Sequence, residues 1–178
     1  MKIVLDACVL YPNVMREMLL GAARTGAFTP LWSERILEEW ARAAIKLGPL
    51  GEAQARGEIA LLRAAWPDAE LPAAPGVESR LWLPDPADIH VLAVAVAGSA
   101  DAILTVNAKD FPRGTLAEEG LQRFDPDTFL VSCFNAEPEA IAAAAQSVLS
   151  AARHGDPDWQ MRALMKKARL PRLGKVLG

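Results

Sequence analysis

The sequence predicts an α/β protein in which helices cover both faces of a doubly wound parallel sheet. Short apolar segments with β-branched residues, such as Lys2 to Leu5 and Ala102 to Val106, alternate with longer segments of helical periodicity. Polar side chains also stand where strands end and helices begin, at Asp6, Asp88 and Asn107. Because the carboxyl ends of parallel strands line one crevice, these positions predict a site at that edge of the sheet.

The N-terminal part of the chain is predicted to contain two strand–helix units. The strand Lys2 to Leu5 is followed by a helix that Pro12 initiates and that runs to about Arg24. A second strand, Ala27 to Trp32, leads into a helix for which Ser33 is the N-cap. The apolar stripe of that helix consists of Ile36, Leu37, Trp40, Ala44 and Leu47.

The middle of the chain is predicted to be helical around a long loop. A helix from Glu52 to Trp66 precedes the stretch Pro67 to Pro86, whose five prolines predict mostly loop. The segment His90 to Ala97 alternates well enough for a strand, but its beginning favours a helix. Asp85 is an N-cap candidate there, and Pro86 occupies the first helical position.

The last third of the chain is predicted to complete the sheet and to add a helical extension. The expected elements are the strands Ala102 to Val106 and Gln122 to Phe124 and the helices Pro126 to Phe134 and Glu137 to Arg153. A basic helix is expected to begin at Asp156-Pro157. We therefore assign residues 1–134 to one α/β domain and residues 135–178 to a C-terminal extension. The extension is interpreted either as a dimer or partner surface, which makes a homodimer the expected state, or as a helical pair that covers the sheet edge.

Composition and charge narrow the class of protein. Hydrophobic residues make up 52% of the chain and charged residues 23%, which is typical of a soluble globular protein. The two cysteines have no paired spacing, and no signal peptide or membrane span is apparent, so a cytoplasmic location is expected. The net charge of −3 divides into about −8 for the first 150 residues and +5 for the rest. Charge alone therefore does not predict nucleic-acid binding by the body, although the basic tail suits an anionic partner.

The acids at the predicted sheet edge indicate a metal site. Asp6 ends an apolar strand, where a carboxylate is poorly suited to burial without a partner. Asp88 lies in the first turn of a helix, and since Asp85 suits the cap position better, Asp88 is interpreted as free to bind. Several ionised acids cannot stay close together without a cation, and oxygen ligands suit Mg²⁺ or Mn²⁺. The competing interpretation of both residues is helix capping.

Two further positions extend this set. Glu38 precedes Arg42 by four residues, which favours a surface ion pair, whereas Glu39 lies nearer the apolar stripe and is predicted to face the site. Asn107 and Asp110 follow a strand, and Asn107 offers a neutral oxygen. His90 is a candidate substrate contact, with a structural role as the alternative.

These residues resemble the PIN-domain family of metal-dependent ribonucleases, which includes the toxins of bacterial toxin–antitoxin pairs. The matching segments are LDACVLYP, WSERILEEW, DPADIHVLAVAVAGSADAILT and NAKDFP, and they cover residues 1 to about 134 in the family's order. The resemblance implies a three-layer α/β/α fold. It also places Asp6, Glu39 and Asp88 at the family's acidic positions, with Asn107 where many members have a fourth Asp and Asp110 close behind. Thr105 matches a hydroxyl residue of many members and is expected to contribute to substrate binding.

The implied activity is hydrolysis of RNA phosphodiester bonds with Mg²⁺ or Mn²⁺. Asp6 and Asp88 are expected to bind metal directly, Glu39 directly or through water, and Asn107 or Asp110 to complete the shell. RNA is the implied substrate and an antitoxin a possible partner. A different enzyme class, the Mg²⁺-dependent phosphatases and receiver domains, fits less well because Cys8 stands where an aspartyl phosphatase has a second acid. The main alternative is a non-catalytic PIN domain that binds RNA or protein, because Asn107 weakens the site.

Overall fold

The computed structural model describes all residues from Met1 to Gly178 and contains one five-stranded parallel sheet. The strand order is β3-β2-β1-β4-β5. The strands are β1 (Lys2–Leu5), β2 (Thr29–Ser33), β3 (Glu70–Leu71), β4 (Ala102–Leu104) and β5 (Gln122–Phe124). The predicted α/β class, with helices around a central parallel sheet and further helices at the C-terminus, is confirmed.

Eleven α-helices surround or follow the strands. They are α1 (Ala7–Leu10), α2 (Asn13–Arg24), α3 (Glu34–Ala43), α4 (Gly51–Ala65), α5 (Pro75–Glu78), α6 (Ile89–Ala97), α7 (Arg113–Glu118), α8 (Pro126–Ala136), α9 (Pro138–Arg153), α10 (Met161–Lys167) and α11 (Pro171–Val176). Two 3-10 helices, Ala44–Leu47 and Pro86–Asp88, lie between them. Ser33 caps α3 as predicted, because its side chain accepts a hydrogen bond from the Ile36 amide.

Contacts divide the chain into two compact units. The first comprises residues 1–11 and 29–123, and the second comprises residues 12–28 and 124–178. Helices α2 and α8 thus group with the C-terminal helices. A division by contacts does not show which part of the chain folds by itself. The predicted domain boundary at residue 134 therefore stays a prediction.

The centre of the first unit is the parallel pair β1–β4. Val4 pairs with Ile103 and Leu5 with Leu104, and all of these side chains are fully buried. The Asp6 amide continues the pairing by donating to the Leu104 carbonyl at 3.2 Å. This register places the residues that follow both strands at the same sheet edge.

Several local predictions were wrong or incomplete. The proline-rich loop contains β3 and α5, and α1, α7 and α11 had not been predicted. Leu47, assigned to the apolar stripe of α3, is 71% exposed, because a 3-10 helix rotates it away before Gly48 reverses the chain at φ 113°. The basic helix begins at Met161, not at Asp156-Pro157, where the chain forms a turn instead.

In the second unit, the C-terminal helices pack through close backbone approach and one buried acid. A Cβ on Gly174 would lie 3.0 Å from the Met165 Cβ, so glycine permits the contact between α10 and α11. Asp127 on α8 is buried and accepts hydrogen bonds from the amides of Arg172 at 3.0 Å and Leu173 at 2.9 Å. A side chain 45 residues away thereby satisfies the free amides at the start of α11.

The substitution Asp127→Ala should destabilise the protein, because two buried amides lose their acceptor. We expect a loss of about 1–2 kcal/mol of unfolding free energy, as for other lost helix caps. Urea unfolding of the purified variant measures it. Asp158→Ala, at an exposed acid, is the control, and equal stability of both variants would contradict the role assigned to Asp127.

Candidate metal centre

Asp6, which follows β1, is a buried carboxylate that accepts hydrogen bonds from two side chains. It is 5% exposed. Its Oδ2 accepts a hydrogen bond from Thr105 Oγ1 at 2.8 Å and one from Cys8 Sγ at 3.2 Å. Burial raises the pKa of Asp6, these hydrogen bonds and the Ala7 amide partly offset the rise, and the charge of Glu39 adds to it. The β1–β4 register brings Thr105 to this carboxylate, although the two residues are 99 positions apart in the chain.

Cys8 contributes a thiol to this arrangement. Burial, and then the charge of Asp6, raise the pKa of Cys8 to about 12, so the side chain stays protonated at neutral pH. A thiolate is the form of cysteine that binds metals. Cys8 therefore acts as a hydrogen-bond donor to Asp6, and the donor set of the site consists of oxygens.

Asp88 is the point on which the acids converge. It ends the 3-10 helix Pro86–Asp88, in which Asp85 accepts a hydrogen bond from the Ala87 amide at 2.9 Å. Asp85 is the N-cap of this short helix and Asp88 is its last residue. Carboxylate oxygens of Asp85, Asp88 and Asp110 all lie within 4.8 Å of one another.

The pKa of Asp88 reflects its burial and the negative charges around it. Burial, and then the charges of Asp6, Asp85, Asp110 and Glu39 in that order, together raise the pKa of Asp88 to about 6. Asp88 Oδ2 is buried and has no hydrogen-bond donor. A buried carboxylate oxygen without a donor is costly unless a cation or water binds it.

Glu39 enters the site from α3, on the side opposite to its neighbour Glu38. Glu39 Oε1 lies 2.6 Å from His90 Nε2, which therefore carries the proton that faces the carboxylate. Glu38 instead pairs with Arg42, as the spacing predicted, and with Arg56. Arg56 and then Arg42 lower the pKa of Glu38 to about 2.

His90 lies behind Glu39 on α6. It is 3% exposed, and its Nδ1 is buried without a partner. The structure thus gives His90 a hydrogen bond that orients Glu39. The predicted contact between His90 and a substrate stays a prediction, and a buried imidazole is poorly placed for it.

Asn107 and Asp110 form a linked pair on the loop after β4. The Asn107 side-chain amide donates to Asp110 Oδ2 at 2.7 Å, and the Asn107 backbone amide donates to Thr105 Oγ1 at 3.0 Å. The bond to Asp110 uses the amide nitrogen, so Asn107 Oδ1 is available as a neutral oxygen donor. All seven residues proposed from the sequence thus lie in one neighbourhood.

The sequence analysis missed one member of this neighbourhood. Asp85 was interpreted only as a helix cap, yet it shares the oxygen cluster with Asp88 and Asp110. The spacing Asp-Pro-Ala-Asp could have indicated it, if the first turn had been recognised as a 3-10 helix.

The acids of the cluster differ from other acids of the chain in their partners. Glu38, Glu70, Glu78 and Glu119 each pair with an arginine. None of Asp6, Asp85, Asp88 and Asp110 forms a salt bridge. Hard oxygen ligands, net negative charge and an oxygen without a donor fit a divalent cation such as Mg²⁺ or Mn²⁺.

Comparison with known families agrees with this geometry. The family model for the PIN domain matches residues 2–109, which include every member of the cluster except Asp110. The chain belongs to the PIN domain family. No curated protein and no solved structure matches the chain.

Membership of the PIN domain family indicates the general class of reaction and of metal. PIN domains are typically nucleases and generally use divalent metals, so the expected family and enzyme class are confirmed at that level. None of this PIN protein's helices is long and apolar enough to span a membrane.

The raised pKa of Asp88 predicts a pH-dependent stability of the metal-free protein. A carboxyl with a folded pKa of about 6, against an ordinary 3.8, favours folding at low pH, and this contribution is lost as the pH rises through 6. Asp88→Asn should therefore raise the melting temperature in EDTA at pH 7.5 but not at pH 4.5. We expect about 1 kcal/mol after allowing for solvent screening, or about 2–4 °C.

Thermal melts of both proteins across this pH range measure the effect. Asp158→Asn, at an exposed acid outside the cluster, should give the same melting temperature as the wild type throughout. A stabilisation by Asp88→Asn that is equal at both pH values would contradict the assigned cause.

Proposed function

We propose that this PIN domain is a metal-dependent endoribonuclease that hydrolyses RNA phosphodiester bonds. The observation that carries the proposal is the convergence of Asp6, Glu39, Asp85 and Asp110 on Asp88, whose buried oxygen has no donor. Such a cluster does not serve to stabilise the fold, because ionised acids close to one another repel and are destabilising. It suits a reaction in which a divalent cation meets the anionic scissile phosphate.

Each residue has a distinct role in this proposal. Asp88 and Asp6 would hold the metal, with Asp110 and Asp85 at its open side. Thr105 and Cys8 fix the rotamer of Asp6 by donating to the same oxygen. Hydrogen bonds from behind a metal-binding carboxylate hold it in one orientation. His90 does the same for Glu39, whose Oε1 accepts a hydrogen bond from His90 Nε2 at 2.6 Å.

A bound Mg²⁺ or Mn²⁺ would supply an activated water and offset charge on the phosphate as the bond breaks. The chain's own part is to hold carboxylates in place and to leave one edge of the cluster open. Glu39 is partly exposed, so it can reach a water as well as a metal. Asn107 Oδ1 would orient that water without adding negative charge.

We further propose that the protein acts as the toxin of a toxin–antitoxin pair and forms a homodimer in the cytoplasm. These proposals rest on the resemblance to the toxin branch of the family. An antitoxin would be recognised as a small protein that blocks cleavage when it is bound.

One observation favours a second candidate, a PIN domain that binds RNA or protein without cutting. The Asn107 amide occupies an oxygen of Asp110 at 2.7 Å, so this acid is engaged by a neutral partner. Because this bond occupies a lone pair of Asp110, fewer carboxylate lone pairs remain to bind a cation. Metal binding and cleavage by the purified protein distinguish the two candidates.

Metal binding should be visible as thermal stabilisation. Mn²⁺ at about 100 times its dissociation constant contributes about 2.7 kcal/mol, which raises the melting temperature by several degrees. Glu39→Gln should reduce this shift, because it removes a carboxylate that faces the site. Glu38→Gln is the matched control, since Glu38 pairs with Arg42 and Arg56 and does not face the site. Equal shifts in both variants would contradict the role of Glu39.

Cleavage should require both the metal and the converging acids. Purified protein should cut single-stranded RNA with Mn²⁺ or Mg²⁺ and not with EDTA. Asp6→Asn and Asp88→Asn should each lower the rate more than about 100-fold, since even residues behind metal ligands contribute about 10- to 100-fold. A fluorescent RNA in gel-based time courses gives the rates, with Asp158→Asn as the control. Unchanged cleavage by Asp88→Asn would refute the proposed site.

A further inference from the structure

The C-terminal helices carry a concentrated positive charge. Residues 159–178 contain six basic side chains and no acid, whereas residues 1–158 contain 13 basic and 22 acidic ones. All six are exposed: Arg162, Lys166, Lys167, Arg169, Arg172 and Lys175. We call this set the basic surface.

The basic surface is not neutralised by the protein. Other arginines of the chain bind carboxylates, as in the pairs Arg56–Glu38, Arg63–Glu70 and Arg80–Glu119. The six cations of the basic surface form no salt bridge. Their charged side-chain groups contact neutral partners: Lys167 Nζ lies 5.0 Å from the ring centre of Trp159, and the Arg172 guanidinium donates to Thr128 Oγ1 at 3.0 Å. The carboxylate of Asp127 accepts from the backbone amide of Arg172 and forms no salt bridge with its guanidinium.

The charges are close enough to act together. Helix α10 has seven residues and α11 has six, so at 1.5 Å per residue each is about 10 Å long. Gly174 lets the two helices touch, with a Cβ position 3.0 Å from the Met165 Cβ. The screening length in physiological salt is about 8 Å, so the potentials of neighbouring cations add.

Arg169 occupies a position where glycine is favoured. Its φ is +63°, at the end of α10. The Arg169 amide bonds to the Lys166 carbonyl and the Leu170 amide bonds to the Met165 carbonyl, which is the helix-ending motif that usually contains glycine. The chain thus keeps a cation where a residue without a side chain would be less strained.

The exposed face offers charge and little apolar area. The apolar side chains Leu164, Met165, Leu170 and Leu173 are buried, and Val176, at 40% exposure, is the largest exposed apolar group of the two helices. A protein partner would need buried aromatic or aliphatic anchors at the centre of its interface. A polyanion needs only cations, and its phosphates displace counterions from each one.

We propose that the basic surface binds the phosphate backbone of single-stranded RNA. This inference rests on the proposed function, which makes RNA the substrate of a chain whose remaining 158 residues are strongly acidic. The basic surface would supply affinity without base specificity, so RNA of different sequence should bind alike. It adds a substrate-binding site distinct from the acids at the sheet edge.

The test is the salt dependence of RNA binding by the full chain. A fluorescein-labelled oligouridylate of about 16 nucleotides serves as the probe, in EDTA so that it is not cut. Each cation that neutralises a phosphate contributes about 0.7 to the slope of log affinity against log salt. The variant Arg162→Gln/Lys166→Gln/Lys175→Gln should therefore lower the slope by about 2 and weaken binding by more than about tenfold at low salt.

A matched control removes three exposed cations elsewhere. Arg24→Gln/Lys46→Gln/Arg113→Gln changes the net charge equally, and none of these residues forms a salt bridge. Its slope should stay near the wild-type value. Equal losses in both triple variants would reduce the effect to net charge and overturn the proposal.

Arg169→Gly separates charge from folding. Glycine suits the positive φ, so the melting temperature should not fall, while the slope should decrease by about 0.7. An unchanged slope in both Arg169→Gly and the C-terminal triple variant would overturn the proposal.

The outcomes also separate this inference from the proposed function. Wild-type cleavage with Mn²⁺ together with an unaltered slope in the C-terminal triple variant would refute the basic surface alone. Salt-dependent binding through the basic surface without any cleavage would refute the nuclease and retain the surface. Failure of the wild type to bind the probe would overturn the basic surface, whereas the nuclease is decided separately by cleavage with Mn²⁺.

Discussion

Repulsion between carboxylates at the carboxyl edge of the sheet is the constraint on which the site depends. Burial of Asp88, and then the charges of four other acids that have no lysine or arginine partner, raise its pKa to about 6. The fold holds these groups together through neutral donors, notably Thr105 to Asp6 and Asn107 to Asp110. Neutral donors fix the geometry of the carboxylates but leave their net charge in place, so the repulsion among them remains.

The protein separates its charges between two regions of the chain. Most arginines of the first unit form salt bridges with glutamates. These salt bridges are exposed, so they add little stability. The cations after residue 158 remain unpaired. A chain with a net charge of only −3 thus has both a strongly acidic cluster and a strongly basic surface.

Sequence patterns predicted the sheet and the site neighbourhood because their causes are local. Ser33 and Asp85 are recognisable as N-caps from their positions just before a helix. The short apolar segment from Lys2 to Leu5 is typical of a buried strand. The hydrogen bond between His90 and Glu39 spans 51 residues, and nothing in either helix's periodicity encodes it. Likewise Asp85 both caps the 3-10 helix and joins the cluster with Asp110, and its position in the sequence indicates only the first of these roles.

The pairing of β1 with β4 has a consequence for how the protein folds. The Asp6 amide and the Leu104 carbonyl are joined across 98 residues of chain, and Asp6, Glu39, Asp88 and Asp110 come from four distant segments. Contacts of such high sequence separation form late, after a large loop-closure entropy has been overcome. The carboxylates therefore meet only when the native topology is nearly complete. A cation bound there would stabilise a region that forms late. It would therefore lower the unfolding rate and leave the folding rate almost unchanged.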